Sequence, residues 1–118
     1  MEKVEAIEKY MEHYSGDGHT IIRAEALVEW GFSKEIVDRF SYEHKSDGTA
    51  KGSITSSVDG KVLDKLMGVY TLDFAYAIAR DIGADTKPAG MKMGRGFQAQ
   101  ELAIAIRARL AELAKETA

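Results

Sequence analysis

Apolar residues recur along this chain at helical spacing in several stretches, separated by polar and glycine-rich breaks. Val4, Ile7, Met11 and Tyr14 follow one another at steps of three, four and three, the stripe of an amphipathic helix over Glu2 to Tyr14. Glu2, Glu5, Glu8 and Glu12 take much of its other surface, and Ser15-Gly16-Asp17-Gly18 ends it as a turn cluster. His19 to Ile22 reads as a short extended piece. A helix comes next over Arg23 to Trp30, with Gly31 placed to close it. Ser33 is a good cap for the next helix, whose apolar side is Ile36, Val37 and Phe40. Leu72 to Ile82 is strongly apolar and reads as a central, mostly buried helix, with Thr71 as its cap, Asp73 near its start and Gly83 at its end.

The last helix runs from Phe97 to about Glu116. Leu102, Ile106, Leu110 and Leu113 form one stripe, and Ile104, Ala108 and Ala111 form a second. An arc that wide exceeds what a one-sided surface helix needs. Two readings stand: a helix buried in the core, or one whose outer part faces a second subunit.

A helix–glycine–helix rhythm appears twice, over Arg23 to Phe40 and over Lys61 to Ala79. Each copy sets an apolar residue before a glycine and another after it: Trp30-Gly31-Phe32 and Met67-Gly68-Val69. That is the spelling of a helix-turn-helix, where glycine relieves the turn and the flanking apolar residues close the angle. In the second copy Val62, Leu63, Leu66 and Met67 form a short helical face ending at Gly68.

Between the copies, Ser41 to Val58 is polar and holds the hairpin-turn dipeptide Asp47-Gly48. It reads as a β-hairpin lying against the helices, with an irregular surface loop as the other reading. Ala84 to Gly96, with the only proline at Pro88, reads as one long loop. The fold class expected is α+β, mostly α: a helix-turn-helix with a β-hairpin and a long C-terminal helix.

The 118 residues fit one domain, and 45% hydrophobic with 30% charged residues marks a globular chain. There is no cysteine, which removes disulfides and thiol chemistry. No apolar run approaches 18 residues and no signal-peptide pattern opens the chain, so a cytoplasmic location and no membrane contact are expected. The net charge of −3 is uneven. Met1 to Asp47 carries six basic and eleven acidic residues, whereas Lys87 to Ala118 carries six basic and three acidic ones. An anionic partner meets the C-terminal third more easily than the front.

Helix, short strand, helix-turn-helix and hairpin is the element order of Met1 to Val58, carried by Ala26, Trp30, Gly31, Phe32, Val37 and Phe40. In that order the stretch resembles the winged helix-turn-helix family, although Leu27 and Val28 stand where the family usually has a small residue. The resemblance implies DNA as partner, with the second helix in the major groove and the hairpin as a wing on phosphates. Lys34 and Arg39 would then face DNA beside Ser33, Glu35 and Asp38, and Lys45 and Lys51 would stand on the wing.

A second basic candidate is the segment before the last helix. Lys92-Met93-Gly94-Arg95-Gly96 pairs two glycines with cations, and no acid occurs between Lys87 and Gln100. Such a segment at a helix N-terminus suits a phosphate. It has neither a P-loop nor a dinucleotide fingerprint. His13, His19 and His44 lack metal-ligand spacing, and no nucleophile-and-base arrangement is spelled. The expectation is therefore a non-enzymatic, DNA-associated protein without metal or cofactor. Its contacts would be Lys34, Arg39, Lys45, Lys51, Lys92 and Arg95, and it would pair as a homodimer through the C-terminal helix. The rival expectation is a protein-binding module that uses the acidic first helix with Tyr10, Tyr14 and Trp30.

Overall fold

A computed structural model describes residues 2–14, 20–43, 67–91 and 94–117. Its described part is 74% helical, with one small three-stranded antiparallel sheet. The order is α1 (Glu2–His13), β1 (Ile21–Arg23), α2 (Ala24–Glu29), α3 (Lys34–Phe40), β2 (Tyr42–Glu43) and β3 (Met67–Tyr70). Then come α4 (Thr71–Ile82), α5 (Lys87–Gly90) and α6 (Arg95–Thr117). This is the α+β, mostly α class that the periodicities predict.

The sheet runs β1–β3–β2, so the last strand in sequence is the middle one in space. Ile21, Ile22 and Arg23 pair with Tyr70, Val69 and Gly68, while Tyr42 and Glu43 pair with Gly68 and Met67. Arg23, Gly68 and Tyr42 thus form one row across the sheet. Residues directly opposite share a face, so two large side chains flank a residue that has none. A glycine in the central strand leaves them that space.

The outcome differs from expectation in two of these segments, and a third lies largely outside the described residues. Met67 and Gly68 do not end a helix; they belong to β3, where Gly68 pairs with strands on both sides and Met67 with Glu43 of β2. The described partner of Tyr42–Glu43 is β3, and the rest of the expected hairpin, including Asp47-Gly48, lies outside the described residues. Residues 84–96 are not one loop, since Lys87–Gly90 makes a helical turn with Pro88 in its first turn, where its missing N–H costs nothing.

The helix boundaries have local causes. Ser33 caps α3, its hydroxyl accepting from the Ile36 amide at 3.3 Å. Gly83 ends α4 with φ of 75°, a left-handed position that suits glycine. Arg109 of α6 also reaches that terminus and donates to the Ile82 carbonyl at 2.7 Å. Thr71 is not the cap of α4. Tyr70 holds that position, Thr71 begins the helix itself, and its buried Oγ1 has no hydrogen-bond partner among the described residues.

The core gathers where α1, α4 and α6 meet the sheet. Ile7, Leu72, Leu102 and Ile106 are fully buried. Phe74 is an aromatic hub, with Phe32 edge-on at 5.0 Å, Tyr10 at 5.5 Å and Phe40 at 5.9 Å between ring centroids. Two tyrosine hydroxyls pin α1 to the rest: Tyr10 donates to the Thr71 carbonyl, and Tyr14 to the Ala99 carbonyl at 3.0 Å. Burial, then the neighbouring Tyr14 and Asp73, raise the Tyr10 pKa well above the ordinary tyrosine value.

Candidate nucleic-acid interface

α2 and α3 are joined by a short turn that contains Gly31. α2 closes through Trp30, Gly31 takes φ of 114°, and the Phe32 amide returns to the Leu27 carbonyl at 3.2 Å. Phe32 then turns inward onto Phe74, and Val37 is fully buried on the inner side of α3. The outer side of α3 is left to Lys34, Glu35, Asp38 and Arg39, all exposed.

These four residues pair among themselves. Lys34 Nζ lies 2.7 Å from Asp38 Oδ2, and Arg39 lies 3.4 Å from Glu35 Oε1, both one helical turn apart. The face is therefore neutral. Exposed pairs of this kind contribute at most about 1 kcal/mol, so a phosphate can compete for either cation.

A groove of about 570 Å³ lies between α2, α3 and the start of β3. Val28 and Met67 line it with Lys34 and Asp38, and both apolar residues are exposed. Arg23, at the end of β1, also lines it and pairs with Glu25 at 3.1 Å. Arg23 was not among the residues the sequence suggests. Its signal is its place as the polar end of Ile21-Ile22-Arg23, just before a helix.

Arg95 begins α6 after Gly94, which has φ of 83°. Its guanidinium lies 3.8 Å from Asp73 in the first turn of α4. Asp73 thus balances charge in the segment that reads as purely basic in sequence. Lys45, Lys51 and Lys92 lie outside the described residues. The structure accordingly places Lys34 and Arg39 together on α3 and Arg95 beside α4.

The aromatic set of the rival reading is largely internal. Tyr10 and Tyr14 are buried, and their hydroxyls are engaged with the chain's own carbonyls, so neither forms a surface for a partner. Trp30 is half-buried and stacks on His13 at 4.7 Å. Tyr42 and Tyr70 are diagonal neighbours across β2 and β3, with rings 5.7 Å apart. Desolvation, together with a hydrogen bond to Tyr70, raises the Tyr42 pKa.

Among the described residues no three His, Asp or Glu side chains come together as metal ligands. No described helix is long and apolar enough to cross a membrane. Comparison of the chain with protein-family models, curated proteins and solved structures gives no match.

Proposed function

We propose that this chain is a small, non-enzymatic, DNA-associated regulator of the winged-helix type that works in the cytoplasm. One observation carries the reading. A helix, a strand, two helices joined by a glycine turn, and two further strands come in that order, with strand order β1–β3–β2. In such an arrangement the second helix of the pair reads the major groove, and the connection between the last two strands is the wing. α3 then brings Lys34 and Arg39 to the DNA. The β2-to-β3 connection holds the wing's place in the chain and carries Lys45 and Lys51. Lys92 and Arg95 supply a further phosphate contact at the start of α6. A homodimer through the C-terminal helix belongs to the same reading, because a two-fold pair meets two half-sites.

The acids beside these cations set the expected strength. Lys34, Arg39 and Arg95 each have a carboxylate within 4 Å, and the chain is net negative. Binding should therefore be modest at physiological salt and steeply salt-dependent. Fluorescence anisotropy on mixed-sequence duplex DNA at two salt concentrations tests this. The double variant Lys92→Ala/Arg95→Ala should weaken binding on every sequence and lower the salt slope by about 2. Unchanged binding removes those two residues from the interface. No binding at low salt removes the DNA reading as a whole.

A second reading, an adaptor for another protein, is favoured by one observation. Met91, Phe97 and Ile104 are 83%, 64% and 62% exposed. Apolar side chains of that size left in water near one helix are the mark of an interaction surface.

A further inference from the structure

α6 has two apolar faces, and only one of them is used within the chain. Ala99, Leu102, Ala103 and Ile106 are buried against the core, with Leu110 and Leu113 packed beside them. At 100° per residue, Phe97, Ile104, Ala108 and Ala111 fall on the opposite side. All four are exposed there, with Lys115 in line beyond them. From Phe97 to Lys115 the stripe is about 27 Å long at 1.5 Å per residue.

We infer that this outer face is the seam of a homodimer in which α6 pairs with the α6 of a second copy, running antiparallel. Three observations select that occupant. The large residues, Phe97 and Ile104, lie in the N-terminal half of the stripe, and the small ones, Ala108 and Ala111, in the C-terminal half. Antiparallel pairing sets Ile104 of each copy against Ala108 of the other, and Phe97 against the flexible stem of Lys115. Parallel pairing sets Phe97 on Phe97 and alanine on alanine, which crowds one end and leaves a gap at the other.

The ends of the stripe are self-complementary, as a two-fold interface requires. Lys115 ends the stripe and has no ion-pair partner among the described residues, whereas Phe97 begins it. A two-fold axis level with residue 106 sets Ile104 opposite Ala108 of the second copy and Phe97 opposite its Lys115. That Lys115 stem lies along the Phe97 ring, with its ammonium at the ring or in water. Finally, the outer face of α6 lies away from the side occupied by the core-facing Leu102 and Ile106, so pairing needs no rearrangement of the fold.

The inference rests on the homodimer within the proposed function, but its test is made without DNA, so the two can fail separately. The mass of the purified chain is measured by light scattering from micromolar to near-millimolar concentration. The expected result is a rise toward twice the 13.0 kDa of one chain. Ile104→Glu and, independently, Ala108→Glu should hold the mass at one chain with helical circular dichroism unchanged, since both positions are exposed. The chain has no cysteine, so single cysteines report the geometry. A short bismaleimide should join Ala108→Cys chains to each other, because those positions lie near the axis. It should leave Phe97→Cys chains single, because they lie at opposite ends. A one-chain mass at every concentration overturns the proposal, as does a dimer that survives both glutamate variants. Cross-linking at Phe97→Cys with none at Ala108→Cys overturns the antiparallel arrangement.

Discussion

The two glycine rhythms are spelled alike and fold differently. In the first, Trp30-Gly31-Phe32 joins two helices, and the glycine takes a positive φ. In the second, Met67-Gly68-Val69 is the middle of a sheet, and the glycine is buried between two strands. The residues after each glycine separate the two cases. Phe32 precedes the capping Ser33 and then Lys34-Glu35, good residues for a first helical turn. Gly68 precedes Val69 and Tyr70, β-branched and aromatic residues that suit a pleated strand. A glycine between apolar residues marks a change of direction or a space beside a large neighbour. Its C-terminal neighbours decide which.

Phe74 is where the two rhythms meet, since it belongs to α4 and receives Phe32 and Phe40 from the first. Phe74→Ala should destabilise the fold by about 3–5 kcal/mol, read from urea unfolding. A loss under about 1 kcal/mol would mean that the α2–α3 unit does not lean on α4.

Tyr10 ties α1 to the start of that same helix. Tyr10→Phe leaves the Thr71 carbonyl without this donor and should cost about 1–3 kcal/mol near neutral pH. The pH dependence has a definite sign. Burial raises the Tyr10 pKa, so the stability it contributes is fully present below the unfolded value of about 10 and is lost as pH climbs toward the folded one. The wild-type chain should unfold on the alkaline side, and Tyr10→Phe should flatten that limb. Parallel alkaline limbs in the two proteins would assign the transition to another group.

The smallest pair of effects is the most direct contrast. Ser33→Ala should cost about 1 kcal/mol, because its hydroxyl caps α3. Thr71→Val should be neutral or stabilising, because the buried hydroxyl it removes has no partner among the described residues. Thermal melts of the two variants should move in opposite directions or differ clearly in size.

The helices were legible because their signal is local. Steps of three and four place Ile7, Met11, Leu102 and Ile106 inward, and the structure buries all four. The strand β3 was not legible, because its four residues are short and their partners lie at 21–23 and 42–43, far along the chain. The turn Lys87–Gly90 is too brief for any period. At the candidate interface, the pairing of Lys34 with Asp38 and of Arg39 with Glu35 is written in the four-residue spacing. The pairing of Arg95 with Asp73 depends on α4 lying beside α6, and no spacing announces it. Tyr10, read from the sequence as part of a partner-binding aromatic set, is buried instead, because it lies three residues after Ile7 and four before Tyr14, beside the same inward stripe.

The position of β3 also imposes an order in time. Neither β1 nor β2 is paired with the other; each is paired with β3. During synthesis β1 and β2 therefore emerge before β3, the strand with which both pair among the described residues. The segments of α1, α2 and α3 have emerged by then, but helices of 12, 6 and 7 residues are marginal alone in water and rely on the core to hold them. The emergence of Met67 to Tyr70 closes both ladders at once, and the next residue, Thr71, already begins α4, onto which α6 later packs to complete the core.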